Sequence, residues 1–185
     1  MNAFELSEHI AKRLDEDGLP YAIGGALALT AWTLPRDTKD VDISIFVAEH
    51  ELPRAIDALE RAGVMIDRAD AERSVARIGM FTGRAGRTLV DVFISRHPHF
   101  LEMQQRRHKL RTPSGAELWF VSAEDLCIMK LIYGRSKDVP DLERMFAALP
   151  LDLAYVRAWL TKMAPAGDRR FALLDDLERR FAARG

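Results

Sequence analysis

Residues 23–45 read IGGALALTAWTLPRDTKDVDISI, and this stretch decides the fold. Tyr21-Ala22-Ile23 is a short apolar run that leads into Gly24-Gly25. The segment ALALTAWTL then has the composition of a compact helix, and Pro35 ends it. From Val41 to Val47 the residues alternate. Val41, Ile43, Ile45 and Val47 face one way; Asp42, Ser44 and Phe46 face the other, and Asp40 shares their side. The order is strand, glycine turn, helix, strand, which opens an α/β arrangement.

Working outward, Phe4, Leu6, Ile10 and Leu14 recur at helical spacing, so an amphipathic helix is expected over 3–16, stopped by Gly18 and Pro20. Residues 51–62 carry Leu52, Ile56 and Leu59 and read as a helix ending at Gly63. Residues 73–81 and 87–95 read as two strands joined by a turn over Thr82 to Gly86. In the second run Val90, Val92 and Ile94 face one way, while Leu89, Asp91 and Phe93 face the other. A helix over 99–108 and a strand over 117–121 follow. Ser122 to Asp125 resembles a capping box that opens a helix running to about Gly134. Pro140 suits the first turn of the next helix, and two more amphipathic helices are expected near 151–162 and 168–183. The fold class is therefore mixed α/β (α+β), a small sheet flanked by helices. A mixed α/β core over 1–121 is expected, with a helical part over 122–185 packed on it.

Composition narrows the function. At 185 residues and 48% hydrophobic the chain can bury a real core. A net charge of -1 excludes a global basic field that would recruit nucleic acid. The single cysteine, Cys127, cannot form an internal disulfide, so a reducing compartment fits. No apolar run approaches the roughly 18 residues of a membrane span. The N-terminus interleaves Glu5 and Glu8 with its apolar residues, unlike a signal peptide. The expectation is a cytoplasmic protein with no membrane partner.

The chemistry lies in the acidic residues. Asp40 and Asp42 share one face of a strand, with Cα atoms about 6.5–7 Å apart. Asp91 sits in the middle of LVDVFIS, where a buried carboxylate needs a partner. If the two strands are neighbours, all three carboxylates can meet. Clustered anions are costly without a compensating cation. Mg²⁺ fits, because it takes hard oxygen ligands and leaves positions for phosphate. An Asp-x-Asp pair taken alone is commonly a solvated strand edge or a cap. The Gly24-Gly25 turn taken alone is commonly a tight turn. Together, a turn whose amides can approach phosphate and a carboxylate set one helix away favour a functional reading.

These residues resemble the signature of the nucleotidyltransferase superfamily that includes DNA polymerase beta and the minimal nucleotidyltransferases. In that family a Gly-Ser or Gly-Gly turn precedes a helix and then a strand carrying Asp-x-Asp. A third acidic residue comes from a later strand, the place of Asp91. The run from Arg36 through Thr38 to Asp42 resembles the AbiEii toxin-like subgroup. So does VSAEDLCIMKLIYGRSKDVPDLERM, with Lys130, Arg135, Lys137, Asp138 and Asp141. The resemblance covers roughly residues 20–145.

The resemblance implies an enzyme that moves a nucleoside monophosphate from an NTP to an acceptor, releasing pyrophosphate, with two Mg²⁺ ions. Asp40 and Asp42 would bind both metals. Asp91 would bind the catalytic metal and help deprotonate the acceptor hydroxyl. Gly24, Gly25, Arg36, Thr38, Lys130 and Lys137 would contact the triphosphate, with Lys130 neutralising phosphate charge. The acceptor would be a small molecule, a tRNA end or a protein side chain. The subgroup implies the toxin of a toxin–antitoxin or phage-defence pair, with an antitoxin as partner; the C-terminal helices offer a partner or homodimer surface. Many family members have Ser at the place of Gly25, so one phosphate-binding hydroxyl is missing here. A non-catalytic nucleotide-binding module on the same fold is the alternative.

Other features read blandly. His97-Pro-His99 is a loop pair, with no carboxylate or cysteine near it in sequence to make a zinc site. The basic run Arg106 to Arg111 reads as a solvated helix face, because no aromatic residues interleave. Cys127 reads as buried and inert, and Trp32, Trp119 and Trp159 as packing residues. Lys130 interrupts the apolar run from Leu126 to Ile132, so it either snorkels outward or points into a charged cleft.

Overall fold

The computed structural model describes residues 2–33, 38–94, 97–112 and 114–182. The chain opens with α1 (Ala3–Glu16), whose Asn2 and Glu5 form a capping box and whose buried stripe includes Leu6, Ile10 and Leu14. Strand β1 (Tyr21–Ile23) passes through Gly24 into α2 (Gly25–Trp32). Strand β2 (Val41–Ile45) follows, then a short 3-10 turn over Glu49–Glu51 and helix α3 (Leu52–Arg61). Helix α4 (Arg68–Ile78) leads into the hairpin of β3 (Met80–Ala85) and β4 (Thr88–Phe93). Helix α5 (Pro98–Arg106) and strands β5 (His108–Arg111) and β6 (Glu117–Phe120) complete the mixed part. Four helices end the chain: α6 (Ala123–Tyr133), α7 (Asp138–Ala148), α8 (Leu153–Met163) and α9 (Arg169–Ala182).

Among the described residues the strands form one mixed sheet in the order β3-β4-β2-β1-β6-β5. The central strands β1 and β2 run antiparallel, and β2 runs parallel to β4 with Asp42 directly opposite Asp91. The aliphatic positions Val41, Ile43 and Ile45 are fully buried, as are Val90 and Val92. One contiguous apolar core runs from α1 through the sheet to Leu174 and Leu177 of α9. Helix α6 packs against α2, α7 and α8, which ties the helical end to the strand–turn–helix unit. The Trp32 indole reinforces that tie by donating to the Val121 carbonyl at 2.8 Å. No described helix is long and apolar enough to cross a membrane.

Two expectations fail. Residues 73–78 belong to helix α4, so the strand expected over 73–81 begins only at Met80, and it runs on through most of the expected turn, with Thr82 to Ala85 paired to β4. The Asp67 side chain caps that helix by accepting from the Asp70 amide, Ala71 and Val75 share its buried face, and Gly79 ends it at φ +72. Those four-residue spacings outweigh the β-branched residues. The basic run also divides. Arg106 ends α5, and His108 to Arg111 form edge strand β5, with Lys109 opposite Trp119. The sheet thus brings an aromatic side chain to a run whose own sequence lacks one. Arg107 packs over that same Trp119 ring at 4.4 Å.

Candidate active site

The site forms where β2, β4 and the start of α2 meet. Gly24 adopts an extended backbone as the cap of α2, and its amide donates to the Asp42 carbonyl at 2.8 Å. Gly25 has φ +55, and a Cβ there would overlap Asp42 Oδ2 and fall 2.8 Å from Asp42 Cβ. Backbone angle and space both require glycine. This accounts for the residue where many family members carry serine: the turn is pressed against the carboxylate strand. Since the Gly24 amide is used within the turn, the first-turn amides of Gly25 and Ala26 are the ones that line the cleft. Such amides lack intrahelical partners and favour an anion.

A cleft of about 320 Å³ opens here, lined by Thr38, Lys39, Asp40 and Asp42 on one side and by Lys130, Arg135, Lys137 and Asp141 on another. Anions on the strand thus face cations from α6 and the loop before α7. The Asp42 carboxyl is pushed above the usual carboxylate range, first by burial and then by the charge of Asp91; Arg135, Lys137 and Lys130 oppose this in part. Asp91 accepts a hydrogen bond from the Thr82 hydroxyl at 2.7 Å. Thr82 escaped the sequence reading because only the β3–β4 register reveals it as the partner of Asp91.

Lys130 is 4% exposed. Its ammonium lies 2.6 Å from Asp141 and 3.5 Å from Asp138, so Asp138 and Asp141 serve as its counter-ions. Burial alone would raise the Asp138 carboxyl. Hydrogen bonds from the Arg135 side chain and amide, with the nearby Lys130 charge, outweigh burial and hold it below the usual range. Lys137 stands at the N-cap position of α7, and its side chain lines the cleft rather than capping the helix; Thr38 also lines the cleft, and its hydroxyl donates to the Asp40 carbonyl. Arg36 lies outside the described residues.

The structure therefore pairs Asp42 with Asp91 and sets Asp40 along the same cleft. Among the described residues no three carboxylate, histidine or cysteine side chains converge as a group able to hold a metal. The repulsion within the Asp42–Asp91 pair suits a divalent cation. Mg²⁺ commonly takes one or two protein carboxylates and completes its shell with phosphate and water. His97 and His99 are not a metal pair. His97 caps α5 by accepting from the His99 amide, and His99 turns Nε2 toward the buried Asp125 at 2.9 Å. Cys127 is buried, and burial pushes its thiol up to about 12.

A mixed sheet with a glycine turn set against an Asp-x-Asp strand belongs to the nucleotidyltransferase fold. Several solved structures resemble it, among them these three. ANT(2'')-Ia, an antibiotic-resistance factor, is 17% identical, with 99% of this chain and 96% of that one covered at a TM-score of 0.55. The lincosamide antibiotic adenylyltransferase LnuA, solved with lincomycin bound, is 12% identical over 78% and 97% at 0.58. JHP933 from Helicobacter pylori is 13% identical over 98% and 92% at 0.52. No curated protein matches the chain in sequence. The chain belongs to the family described as nucleotidyltransferase of unknown function (DUF6036), whose model matches residues 2–173.

Proposed function

We propose that the protein is a Mg²⁺-dependent nucleotidyltransferase that moves a nucleoside monophosphate from an NTP to an acceptor hydroxyl. The observation that carries this reading is the Asp42–Asp91 pair, set level on neighbouring strands, with Asp42 against the glycine turn at the start of α2. The acceptor oxygen attacks the α-phosphorus in line. One P–O bond forms, the bond to pyrophosphate breaks, and the acceptor proton passes to the Asp91 carboxylate. Thr82 holds one oxygen of that carboxylate and so orients the other. The amides of Gly25 and Ala26 receive the phosphates, and Arg135 and Lys137 offset their charge from across the cleft. Lys130, fixed by Asp141, sets the positive wall from beneath. Asp42 and Asp91 would hold the cation, with Asp40 contributing from the cleft wall; bound there, it would neutralise charge at the reacting phosphate.

The adenylyltransferase neighbour LnuA, bound to lincomycin, supports AMP as the transferred group and a small molecule as the acceptor. A tRNA end or a protein side chain is the competing acceptor. Purified protein is incubated with each α-³²P-labelled NTP, Mg²⁺ and cell lysate, beside the Asp42→Asn variant. Label transfer that falls more than about 100-fold in the variant is the expected result. Equal transfer by both proteins removes Asp42 from the mechanism.

Residues 36–42 and 121–145 also resemble AbiEii-like toxins, which supports a role as the toxin of a toxin–antitoxin or phage-defence pair. Growth arrest on expression, relieved by Asp42→Asn, is the expected sign. A non-catalytic nucleotide-binding module is favoured only by the use of the Gly24 amide and of Lys130 in internal contacts. NTP binding without pyrophosphate release would select it.

A further inference from the structure

The sheet face that carries the carboxylates continues past them. Alternation along β4 puts Phe93 on the side of Asp91, about 6.5–7 Å further on, and Met80 of β3 lies opposite Phe93. Tyr133, the last residue of α6, packs over Phe93 with ring centroids 6.1 Å apart. The Arg135 guanidinium, which lines the catalytic cleft, stands 5.4 Å from the Tyr133 ring. Asp42 and Asp91 lie near enough to Tyr133 for their charges to raise its hydroxyl, after the larger effect of burial. Tyr133 thus lies between Arg135 of the cleft and Phe93.

Beyond Phe93 is a pocket of about 140 Å³ lined by Ile78, Phe93, Met129, Ile132, Tyr133 and Met163. Among the described residues no carboxylate, lysine or arginine lines it. Its polar members are two histidines and Tyr133. His99 is turned to Asp125, and burial lowers His97, which disfavours its charged form. An apolar cavity of about 150 Å³ admits benzene, and methionine walls adapt well to aromatic faces. The space therefore fits one aromatic ring or a branched alkyl group. A polycation would find no counter-charge there.

We propose that this pocket is the acceptor subsite and that the acceptor is an uncharged alcohol whose hydroxyl lies close to an aromatic ring or branched alkyl group. The proposal rests on the reading of the neighbouring cleft as the site of nucleotidyl transfer. The ring seats against Phe93 and Tyr133, and the hydroxyl returns toward Asp91. The transfer balances as before: the alcohol oxygen gains the nucleotidyl group, its proton goes to Asp91, and pyrophosphate leaves.

Benzyl alcohol is the probe. Its binding to the full chain without nucleotide is followed by saturation-transfer NMR, for the wild type, Ile78→Val and Ile78→Glu. Ile78 is 58% exposed, so the fold tolerates either change. Saturable binding with a Kd on the order of 1 mM is expected for so small a ligand. Ile78→Val should keep it, and Ile78→Glu should weaken it at least tenfold. With labelled ATP and Mg²⁺ the wild type should then label benzyl alcohol in preference to tobramycin. Absent binding, or binding that Ile78→Glu leaves intact, overturns the pocket. Preference for tobramycin overturns the acceptor class. Ile78-dependent binding without label transfer to any acceptor retains the ring pocket and overturns nucleotidyl transfer.

Discussion

At the scale of single residues, the fold holds a carboxylate where the unliganded protein resists its charge. Burial and then Asp91 raise the Asp42 carboxyl above its usual value. A raised acid makes the folded state hold its proton longer than the unfolded chain does. Ionised Asp42 therefore destabilises the fold, from the unfolded carboxylate value upward and fully above the raised one. Asp42→Asn should melt higher than wild type in metal-free buffer at pH 7. The gap should close as pH falls below the usual carboxylate range, while transferase activity is lost throughout. Thermal melts across pH in EDTA test this, and a variant that melts lower at pH 7 contradicts it. Asp42 and Asp91 were legible in the sequence because each interrupts an aliphatic strand. Thr82 was not, because its partner is set by register alone.

Among elements, the strand–turn–helix unit is the most constrained. Gly25→Ala combines a left-handed backbone, costing about 1–2 kcal/mol, with a methyl group driven into Asp42. A total loss of roughly 2–4 kcal/mol is expected once overpacking is included, measured by urea unfolding, with activity lost as well. A loss under about 0.5 kcal/mol would show that the turn yields. This unit was readable because its signals are local: apolar run, glycines, proline, alternation. The helix over 68–78 was missed because its cap, Asp67, lies upstream of the β-branched residues that suggested a strand. Strand β5 was missed because it is a polar edge strand of four residues, whose only strand signal is the partner β6.

For the whole molecule, one buried acid joins distant parts of the chain. Asp125 at the start of α6 accepts from the Ser122 hydroxyl at 2.7 Å and from the Tyr155 hydroxyl of α8 at 2.8 Å, and faces His99 of α5 at 2.9 Å. Arg106 stacks on the Tyr155 ring at 4.0 Å beside it. In the sequence Asp125 is only a helix-start residue; its other role needs three elements to meet. Asp125→Ala should cost about 3–5 kcal/mol, because it leaves buried polar groups without a partner. For a chain of this size that is a fall of roughly 10 °C in Tm, read by calorimetry. A change of under about 3 °C would make the network incidental.

The opposite charges of the cleft come from parts of the chain that are made at different times. Asp42 and Asp91 leave the ribosome ahead of Lys130, Arg135 and Lys137 by roughly 40 residues or more, a few seconds at about 5–20 residues per second. Strand β1, between β2 and β6, must also wait for Phe120 to fill its open edge. During synthesis the nascent chain therefore holds its acidic half without the basic half that opposes it, and the cleft is complete only once Asp141 of α7 has emerged.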